Sequence, residues 1–489
     1  MTTSDLIALS PELIVTVLAL LVLVLDLFLP PERKAWLSRI SLLGLLAALV
    51  ANALIHEPNP QAWQGMLASD AISGYFNFVM LLIAALSLML SSDYLQRQGL
   101  ERGEYYALLL TSTLGAMLMG SSADLLMVFL GLETLSIPLY ILSGFARGQS
   151  RSQEASLKYF LLGAFSSAVF LYGIALVYGA TGTTNLAALS QQLGTMSASP
   201  LLLAGAGLLL VGLGFKAAAV PFHTWAPDVY EGAPTSVTAF MAVMAKAGAF
   251  GALLRVFMLA LPQQSQLASD WGLLVGVLAA LTMILGNFVA LVQLDLKRMM
   301  AYSSIAHAGY LLVAVAVSAA GGETAGLATS SLLFYLLAYT FMTLGAFGVL
   351  LLLERQGENL ALNDLAGLAL RHPLASAAMA LFMISMAGLP PTAGFFAKFY
   401  VFSAALSAGN LGLVLALIGV LTSVVSVYYY LRVVYYLYMR PAAVERPIYA
   451  SSSWATAALV IAALGVLVLG ILPAPVFAWT QQALALVLP

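Results

Sequence analysis

Residues 214–255, GFKAAAVPFHTWAPDVYEGAPTSVTAFMAVMAKAGAFGALLR, place two lysines among apolar residues. Lys216 and Lys246 each have apolar neighbours on both sides, and the proline-rich segment VPFHTWAPDVYEGAP separates their two apolar runs. Each run reaches the length of about 20 residues that a membrane-spanning helix needs. The stretch therefore predicts two membrane helices, joined by irregular chain, with a lysine in each.

The composition of the whole chain supports a membrane protein. Of its 489 residues, 62% are hydrophobic and only 8% are charged, whereas a soluble protein carries about 25% charged residues. The formal net charge of −2 offers no basic patch for nucleic acid. We therefore predict a polytopic membrane protein.

The absence of cysteine excludes several kinds of site. The chain cannot hold a cysteine-bound iron–sulfur cluster, a zinc site of the usual kind or a disulfide. Its four histidines lie too far apart in the sequence to predict a metal site. If the protein serves an electron-transfer system, the electrons run through other chains.

Apolar runs of spanning length recur along the sequence and predict an all-α fold of about fourteen transmembrane helices. The first run is longer than a signal-peptide core, has no basic residue before it and contains Glu12 and Asp26, so we expect a retained helix. The runs lie near residues 11–29, 37–55, 72–92, 105–120, 123–143, 157–179, 201–222, 233–260, 271–292, 299–318, 327–353, 373–407 (interrupted), 411–438 and 454–480.

The distribution of lysine and arginine gives the orientation. Fourteen of the nineteen cationic residues follow odd-numbered runs, whereas the intervening loops and both termini have none. By the positive-inside rule, the first set of loops is cytoplasmic and both termini face the periplasm, as in a multi-pass protein of a bacterial inner membrane. The cationic loop residues are Arg33, Lys34, Arg39, Arg97, Arg102, Arg147, Arg151, Lys297, Arg298, Arg355, Arg371, Arg432, Arg440 and Arg446.

Five cationic residues lie within or near the apolar runs: Lys158, Lys216, Lys246, Arg255 and Lys398. A lysine at a helix centre costs about 2.5–3.5 kcal/mol on insertion scales. Arg255 and Lys158 lie towards the ends of long runs, where their side chains can reach the headgroups. Lys216, Lys246 and Lys398 have apolar residues on both sides, so we predict that they serve a function.

One carboxylate, Glu133, lies in the middle of a run, in LMVFLGLETLSIPLYIL. It could form a structural ion pair that joins two helices. It could also act with a buried lysine as a proton switch, because moving a nearby charge changes how readily a buried lysine loses its proton. Pro138, on the same run, leaves the carbonyl of Thr134 without its helical partner.

Prolines interrupt two further runs close to lysines. Pro221 leaves the carbonyl of Ala217 without a helical partner, and Pro390 and Pro391 interrupt the twelfth run before Lys398. Broken backbone at membrane depth is tolerated only within protein or along a wet cavity. Helices 7 and 12 are therefore predicted to be broken and to lie on a transport path.

The order of the runs predicts an inverted repeat. Runs 4–8 and 9–13 each contain five helices, and the fourth helix of each set is broken. Because five is odd, the second set enters the membrane from the opposite side. We predict a three-helix segment at residues 1–104, the two inverted five-helix repeats at 105–260 and 271–438, and a C-terminal helix at 454–489.

Several polar residues between the lysines could relay protons together with water. His307 is the best single candidate, because a histidine can change its charge near neutral pH, although a lone membrane histidine is also a common structural hydrogen-bonder. The other candidates are His223, Tyr302, Ser303, Ser304, Tyr335 and Tyr339.

Three long motifs resemble the antiporter-like subunits of respiratory complex I, the proton-translocating NADH–quinone oxidoreductase. They are PFHTWAPDVYEGAPT in the stretch quoted above, GLETLSIPLYILSGFARGQSRSQEASLKYF at residues 131–160 and AGLPPTAGFFAKFYVF at residues 387–402. The similarity runs across essentially the whole chain. Lysine rather than glutamate at position 398 favours the branch called subunit N.

The resemblance implies residue roles. Glu133 would pair with Lys216, Lys246 would be the central proton carrier, and Lys398 would lie on the path to the outer face. His307, His223 and Lys158 are secondary candidates for the same proton path. Quinone reduction in neighbouring subunits would toggle Glu133 and Lys216 by changing the local electrostatics.

The resemblance also implies partners. The expected partners are other membrane-arm subunits and lipids, while NADH, FMN, iron–sulfur clusters and quinone would bind to partner subunits and no cofactor to this chain. A subunit of a multisubunit cation/proton antiporter, or of a membrane-bound hydrogenase-type complex, is the alternative, because these proteins share the fold and the buried lysines. A scaffold without transport is a third possibility.

Overall fold

A computed structural model describes residues 3–30, 33–55, 59–194, 199–261, 266–355, 358–441, 449 and 452–485. Within these residues the structure is almost entirely helical, with one short antiparallel hairpin of β1 and β2. The elements in chain order are α1 Thr3–Ala8, α2 Ser10–Phe28, α3 Ala35–Leu54, β1 Asn59–Gln61, α4 Ala62–Gly65, β2 Leu67–Ser69, α5 Ala71–Gln98, α6 Gly103–Ser121, α7 Leu125–Ser143, α8 Ser150–Thr181, α9 Leu186–Leu193, α10 Pro200–Ala217, α11 Trp225–Gly232, α12 Thr235–Leu253, α13 Gln266–Ala290, α14 Leu296–Ser318, α15 Gly322–Leu353, α16 Leu368–Arg371, α17 Pro373–Ala387, α18 Ala393–Leu406, α19 Gly409–Met439, α20 Ser453–Ile471 and α21 Pro473–Ala485.

Twelve helices in the described part of the chain are long and apolar enough to cross a membrane. Of the fourteen predicted spans, the two that are not among them correspond to α6 and to the broken pair α17 and α18. The two halves of that broken span, α17 and α18, are both apolar, but each is too short to cross a bilayer alone. The prediction of an all-α polytopic membrane protein is confirmed.

Three helices form the centre of the bundle. The apolar window of α12 is wholly buried by the rest of the chain, and those of α14 and α15 are 94% buried, compared with 33% for α2, α3, α19 and α20. The peripheral helices therefore expose one face to lipid or to other proteins, whereas α12, α14 and α15 contact protein on all sides. Lys246 lies on α12 and His307 on α14, so both lie in the centre.

Both predicted helix breaks are present. The first interrupts the chain between the end of α10 at Ala217 and the start of α11 at Trp225. The second separates the end of α17 at Ala387 from the start of α18 at Ala393. The residue after each first half, Ala218 or Gly388, has left-handed backbone, with φ of 60° and 85° respectively. That conformation turns the chain out of the helix and leaves the last carbonyls free.

The C-terminal region differs from the prediction. Instead of a single helix, the described part of residues 454–489 forms α20 and α21, with a break at Leu472. Pro473 begins α21, and proline cannot continue a preceding helix because it lacks an N–H donor. The division into two inverted five-helix repeats stays a prediction.

Candidate proton-translocation site

The first helix break provides the hydrogen-bond acceptor for Lys246. The Lys246 ammonium donates a hydrogen bond to the carbonyl oxygen of Ala217 at 3.2 Å. This is the carbonyl that Pro221 leaves without a helical partner. Lys246 is 2% exposed, and no carboxylate contacts its ammonium among the described residues. The lysine is therefore held by a helix end instead of by an acid.

Lys216 occupies the end of α10 and has an aromatic environment. Its ammonium donates to the Tyr159 hydroxyl at 2.9 Å. It also lies 4.9 Å from the centre of the Tyr159 ring and 5.6 Å from that of Tyr140. Tyr159 is stacked on Trp225 of α11 at 4.4 Å. The side chains of α7 and α8 thus fix Lys216 at the break through cation–π and hydrogen-bond contacts.

Glu133 lies near Lys216 without contacting it. Its charge acts electrostatically on both Lys216 and Tyr140. No ion pair or hydrogen bond joins Glu133 to Lys216 in the described residues, and the buried Oε1 atom of Glu133 has no hydrogen-bond partner there. The direct pairing that the resemblance implies is therefore absent from this structure, although the two charges are close enough to interact.

The second break holds Lys398 in the same way as the first holds Lys246. The Lys398 ammonium donates to the carbonyl oxygen of Ala387 at 3.0 Å and to the Ser423 hydroxyl at 2.7 Å. It lies 5.0 Å from the centre of the Tyr310 ring. A Cβ atom at Gly388 would come within 2.9 Å of the Lys398 Cδ atom. Glycine is required here both by its backbone conformation and by this close approach.

Lys246 and Lys398 thus each bind the last carbonyl of the helix that precedes a break. The C-terminal end of a helix carries partial negative charge and favours a cation. Lys246 reaches this carbonyl from the neighbouring helix α12, whereas Lys398 reaches it from α18, the second half of its own broken helix. The two lysines share a chemical environment but occupy different positions relative to the breaks.

His307 lies near both of these lysines. The charges of Lys246 and Lys398 both act on it. Its Nδ1 atom is 2.6 Å from the Tyr335 hydroxyl, and its Nε2 atom is 3.1 Å from the Tyr430 hydroxyl. Because each ring nitrogen has a hydroxyl partner that can donate or accept, the imidazole can take a proton on one side and release it on the other.

Three further polar contacts lie around the histidine. The Tyr430 hydroxyl lies 2.5 Å from that of Ser303. The Tyr339 hydroxyl donates to Ser304 at 2.9 Å, and Ser304 lies 3.3 Å from the Tyr230 hydroxyl. Of the relay candidates from the sequence, Ser303, Ser304, Tyr335 and Tyr339 therefore lie in polar pairs around His307, whereas Tyr302 is not among these contacts.

Tyr230 and Tyr430 are not among the relay candidates from the sequence. Both are buried, and a buried tyrosine hydroxyl usually needs a polar partner. Tyr430 is one of three consecutive tyrosines at 428–430, and only the packing shows which of them faces His307. Tyr428 is exposed, and Tyr429 donates instead to Asn287 at 3.0 Å.

Lys158 lies outside the buried group. Its side chain is 42% exposed and forms ion pairs with Glu154 at 2.7 Å and Asp228 at 2.8 Å. Arg298 binds Asp228 at 2.8 Å and Glu231 at 2.9 Å. The acidic residues of α11 are thus neutralised by cations from α8 and α14. This network fixes α11, which follows the first helix break, to its neighbours α8 and α14.

His223 lies within the first break and is half-buried. Its Nδ1 atom is buried and has no hydrogen-bond partner among the described residues. The structure does not join it to the group around His307.

The prediction that Arg255 reaches the headgroups is wrong. Its side chain is 6% exposed and holds Asp70 with two hydrogen bonds of 2.6 and 2.7 Å. It also donates to the Gly120 carbonyl and the Ser73 hydroxyl. Arg255 lies in π-helical turns, Leu254–Ala260, that continue α12. The counter-ion, Asp70, lies in a loop that is distant in the sequence. The apolar run around Arg255 therefore gives no sign of it.

Among the described residues, no group of three or more His, Asp or Glu side chains is placed to hold a metal ion. The side chains that form hydrogen bonds with Lys398 and His307 carry hydroxyl groups. Their chemistry is suited to binding and passing protons.

Comparison with known proteins identifies the family of the chain. Residues 122–426 match the family model described as NADH:quinone oxidoreductase/Mrp antiporter, TM. The chain is 45% identical to NADH-quinone oxidoreductase subunit N of Trichlorobacter lovleyi, over 99% of this chain and 98% of the relative. It is 48% identical to NADH-quinone oxidoreductase subunit N 1 of Sorangium cellulosum, over 88% of this chain and 87% of the relative.

Solved structures agree. A chain of respiratory complex I from Thermus thermophilus with bound aureothin superposes with a TM-score of 0.80 at 40% identity, covering 96% of this chain and 98% of that one. A chain of the Mrp complex from Dietzia sp. has a TM-score of 0.83 at only 22% identity, over 99% of this chain and 97% of that one, and shares the fold alone. The TM-scores of the two chains are similar, so the fold does not distinguish the complex I chain from the Mrp chain. The sequence identity does, since it is higher for the complex I chain. The chain belongs to the NADH-quinone oxidoreductase subunit N family.

Proposed function

We propose that this chain is the proton-translocating membrane-arm subunit N of an NADH–quinone oxidoreductase. Relatives at 43–48% identity over nearly the full chain carry that name. The chain works as part of an enzyme complex, and its partners are therefore other subunits of that complex. Electron transfer takes place on those partners, because this sequence has no cysteine for an iron–sulfur cluster.

One observation carries the assignment of the proton path. Lys246 and Lys398 are buried, and each ammonium binds a helix-terminal carbonyl with no acid in contact among the described residues. A lysine that only joins two helices is best stabilised by a carboxylate, since an isolated buried charge is costly. A lysine held by neutral oxygen atoms can lose its proton without leaving an orphaned carboxylate. This arrangement suits a proton carrier.

In the proposed path, Lys246 is the central carrier, His307 connects it to Lys398, and Lys398 delivers protons towards the outer face. Glu133 and Lys216 form the electrostatic switch at the first break. Quinone reduction elsewhere in the complex changes the charge near Glu133, which alters how strongly Lys216 holds its proton. The charge of Lys216 then acts on Lys246. Water molecules complete the gaps between these groups.

We assign Lys158 and His223 to lesser roles. Lys158 is a surface residue in an ion-pair network, so its removal affects the position of α11 more than the transfer of protons. His223 has an unpartnered nitrogen at the break, where it can bind water.

The location and partners follow from family membership and charge. We place the chain in a bacterial inner membrane with both termini on the periplasmic side, since cationic loops alternate with loops that lack lysine and arginine. We expect neighbouring antiporter-like and small membrane subunits, as well as lipids, on its exposed apolar faces. NADH, FMN, iron–sulfur clusters and quinone bind to the partner subunits.

A cation/proton antiporter subunit is the second candidate, favoured only by shape. The Mrp chain and a chain of an archaeal membrane-bound sulfane sulfur reductase each have a TM-score of 0.83, at 22% and 24% identity. Copurification in mild detergent separates the two functions. A complex I subunit purifies with peripheral redox subunits, whereas an antiporter subunit purifies in a purely membranous assembly and transports sodium.

The path is tested in inside-out vesicles that contain the whole complex. Lys398→Met should abolish NADH-driven acidification of the vesicle lumen while the complex stays assembled. Lys34→Ala is the matched control, because Lys34 lies outside the spanning helices and pairs with Asp26 at 3.0 Å. Normal acidification with Lys398→Met would remove Lys398 from the path and favour a scaffold.

A further inference from the structure

A polar cavity lies at one end of the bundle, apart from the lysines. It has a volume of about 160 Å³ and is partly open to the surface. Its wall is formed by the ends of α2, α3, α5 and α6, and its polar side chains include Glu12, Asn52, Asp70, Asn77 and Ser121. The loops at this end hold no lysine or arginine, so charge predicts that the cavity faces the outer side.

Glu12 is a buried ionisable group that the proposed path does not use. It is 5% exposed, although it lies on a membrane-spanning helix at the edge of the bundle. Its Oε1 atom accepts hydrogen bonds from the Asn77 amide at 2.9 Å and from the Ser121 hydroxyl at 3.3 Å. Its Oε2 atom has no partner among the described residues.

The unpartnered atoms point to water in the cavity. Besides Glu12 Oε2, the Oδ1 atom of Asn77 is buried and lacks a partner within the described part of the chain. Buried polar atoms are almost always hydrogen-bonded to protein or to ordered water. A cavity of about 160 Å³ is large enough for several water molecules. Water can therefore satisfy both acceptors and connect Glu12 with the bulk solvent.

The charged groups around Glu12 do not neutralise it. Besides Glu12, the one charged residue of the described wall is Asp70, which binds Arg255 behind the wall at 2.6 Å. Packed helices α3 and α6 contribute Asn52 and Ser121 to the wall and no charge. A structural acid at this depth would have a cation in contact. Glu12 has hydrogen-bond donors instead, which can stabilise a carboxylate after it loses its proton.

We propose that Glu12 is a proton-exchanging carboxyl group that releases protons into this outward-facing cavity. The O–H bond at Oε2 breaks as a cavity water takes the proton. The products are hydronium and a carboxylate that Asn77 and Ser121 stabilise. This site rests on the proposed function, because it is useful only to a chain that moves protons. Arg255 connects the two regions, since it lies on the helix that continues from Lys246 and binds Ser73 and Asp70 in the cavity wall.

Access to the cavity is tested by introducing cysteine, because the chain has none of its own. Asn52→Cys lies on the wall, and Leu46→Cys, on the exposed side of the same helix, is the control. In the intact complex, a charged, membrane-impermeant thiosulfonate applied to the outer face should modify only the first, as read from the mass of this chain. Modification from the cytoplasmic side alone, or from neither side, would overturn the proposal.

The role of Glu12 is tested with Glu12→Gln, since glutamine keeps the oxygen that accepts from Asn77 and Ser121 but cannot release a proton. We expect loss of NADH-driven proton pumping in an assembled complex, with retention in Glu12→Asp. Glu104→Gln is the matched control, because Glu104 is exposed at the opposite end of α6. A purely structural Glu12 would tolerate glutamine, so normal pumping by Glu12→Gln overturns the proposal.

Two controls separate the possible failures. Pumping is measured in potassium buffer with and without sodium, and an effect of Glu12→Gln that depends on sodium would identify a cation site and refute proton release. Lys398→Met is measured alongside. If that variant also pumps normally, the proposed function fails. If only Glu12→Gln pumps normally, the proposed function stands and the Glu12 site falls.

Discussion

Replacing Lys246 with methionine should separate transport from stability. Methionine has a similar length and fills an apolar space readily, but it cannot carry a proton. A carrier lysine predicts that proton pumping falls to the level of an uncoupled membrane. A structural lysine predicts that the subunit is lost from the complex. The two outcomes are opposite, so one variant distinguishes them.

The structure gives the expected stability change. The Lys246 ammonium makes one hydrogen bond, to the Ala217 carbonyl at 3.2 Å. A hydrogen bond with a charged group contributes about 1.5–3 kcal/mol, whereas a lysine near a helix centre costs about 2.5–3.5 kcal/mol. Because methionine removes both, the free energy of unfolding should change by no more than about 1–2 kcal/mol. The complex should therefore assemble normally.

The assay measures three quantities on the same inside-out vesicles. Native electrophoresis gives the amount of assembled complex, NADH oxidation gives the electron-transfer rate, and quenching of an acridine dye gives proton pumping. Lys246→Arg is the companion variant, because arginine keeps the charge and the hydrogen bond but does not release a proton in proteins. We expect both variants to assemble and neither to pump, with NADH oxidation lowered through coupling.

Either of two results would refute this reasoning. Normal pumping by assembled Lys246→Met would show that no proton passes through Lys246. Loss of the complex with Lys246→Met, together with normal pumping by Lys246→Arg, would show that the lysine only holds the helix break in place.

Two further predictions concern the outer cavity and the second break. Burial alone would raise the pKa of Asp70, but the charge and hydrogen bonds of Arg255 lower it to about 2 from the usual 3.8. The stability that the pair contributes is therefore fully present above the usual pKa and is lost as the pH falls through about 2. Asp70→Asn should destabilise the solubilised complex by about 3–5 kcal/mol, because it leaves the buried Arg255 guanidinium without its counter-ion. Thermal unfolding at neutral pH measures this change, and an unchanged unfolding midpoint would contradict the prediction. Gly388→Ala should lower pumping, since the left-handed backbone costs about 1–2 kcal/mol and the new Cβ atom would displace the Lys398 side chain. Gly409→Ala is the control for the backbone, because its φ is also positive but its Cβ atom would meet open space, and equal pumping by the two variants would argue against displacement.

The sequence could predict the features that depend on neighbours along the chain. Apolar length gives the spanning helices, and the prolines at 221, 390 and 391 predict the two breaks because proline removes a backbone donor wherever it stands. The free carbonyl of Ala217 follows from the same rule. The structure adds the partner, since Lys246 lies on a different helix and reaches this carbonyl only after the helices pack.

The features that the sequence could not predict depend on which helix faces meet. A membrane helix is apolar on its lipid-facing side as well as on its buried side, so the face of α19 that carries Tyr430 towards His307 has no signature in the sequence. The position of Arg255 along its apolar run favoured the headgroups. Its true partner, Asp70, lies 185 residues away in the sequence, and no local pattern connects them.

The choice of lysine at both breaks has an electrostatic reason. The exposed carbonyls of a helix end attract a cation and repel an anion, so the group that carries protons there should be charged when it holds the proton. Lys246 and Lys398 meet this requirement at separate helix ends, and both of their charges act on His307. A positive charge on any one of the three raises the energy of a proton on its neighbours, because the screening inside the bundle is weak. We infer that a proton arriving at one site drives departure from the next. A row of bases in this setting would therefore pass protons one after another, and a change of charge near Glu133 could start the sequence from one end.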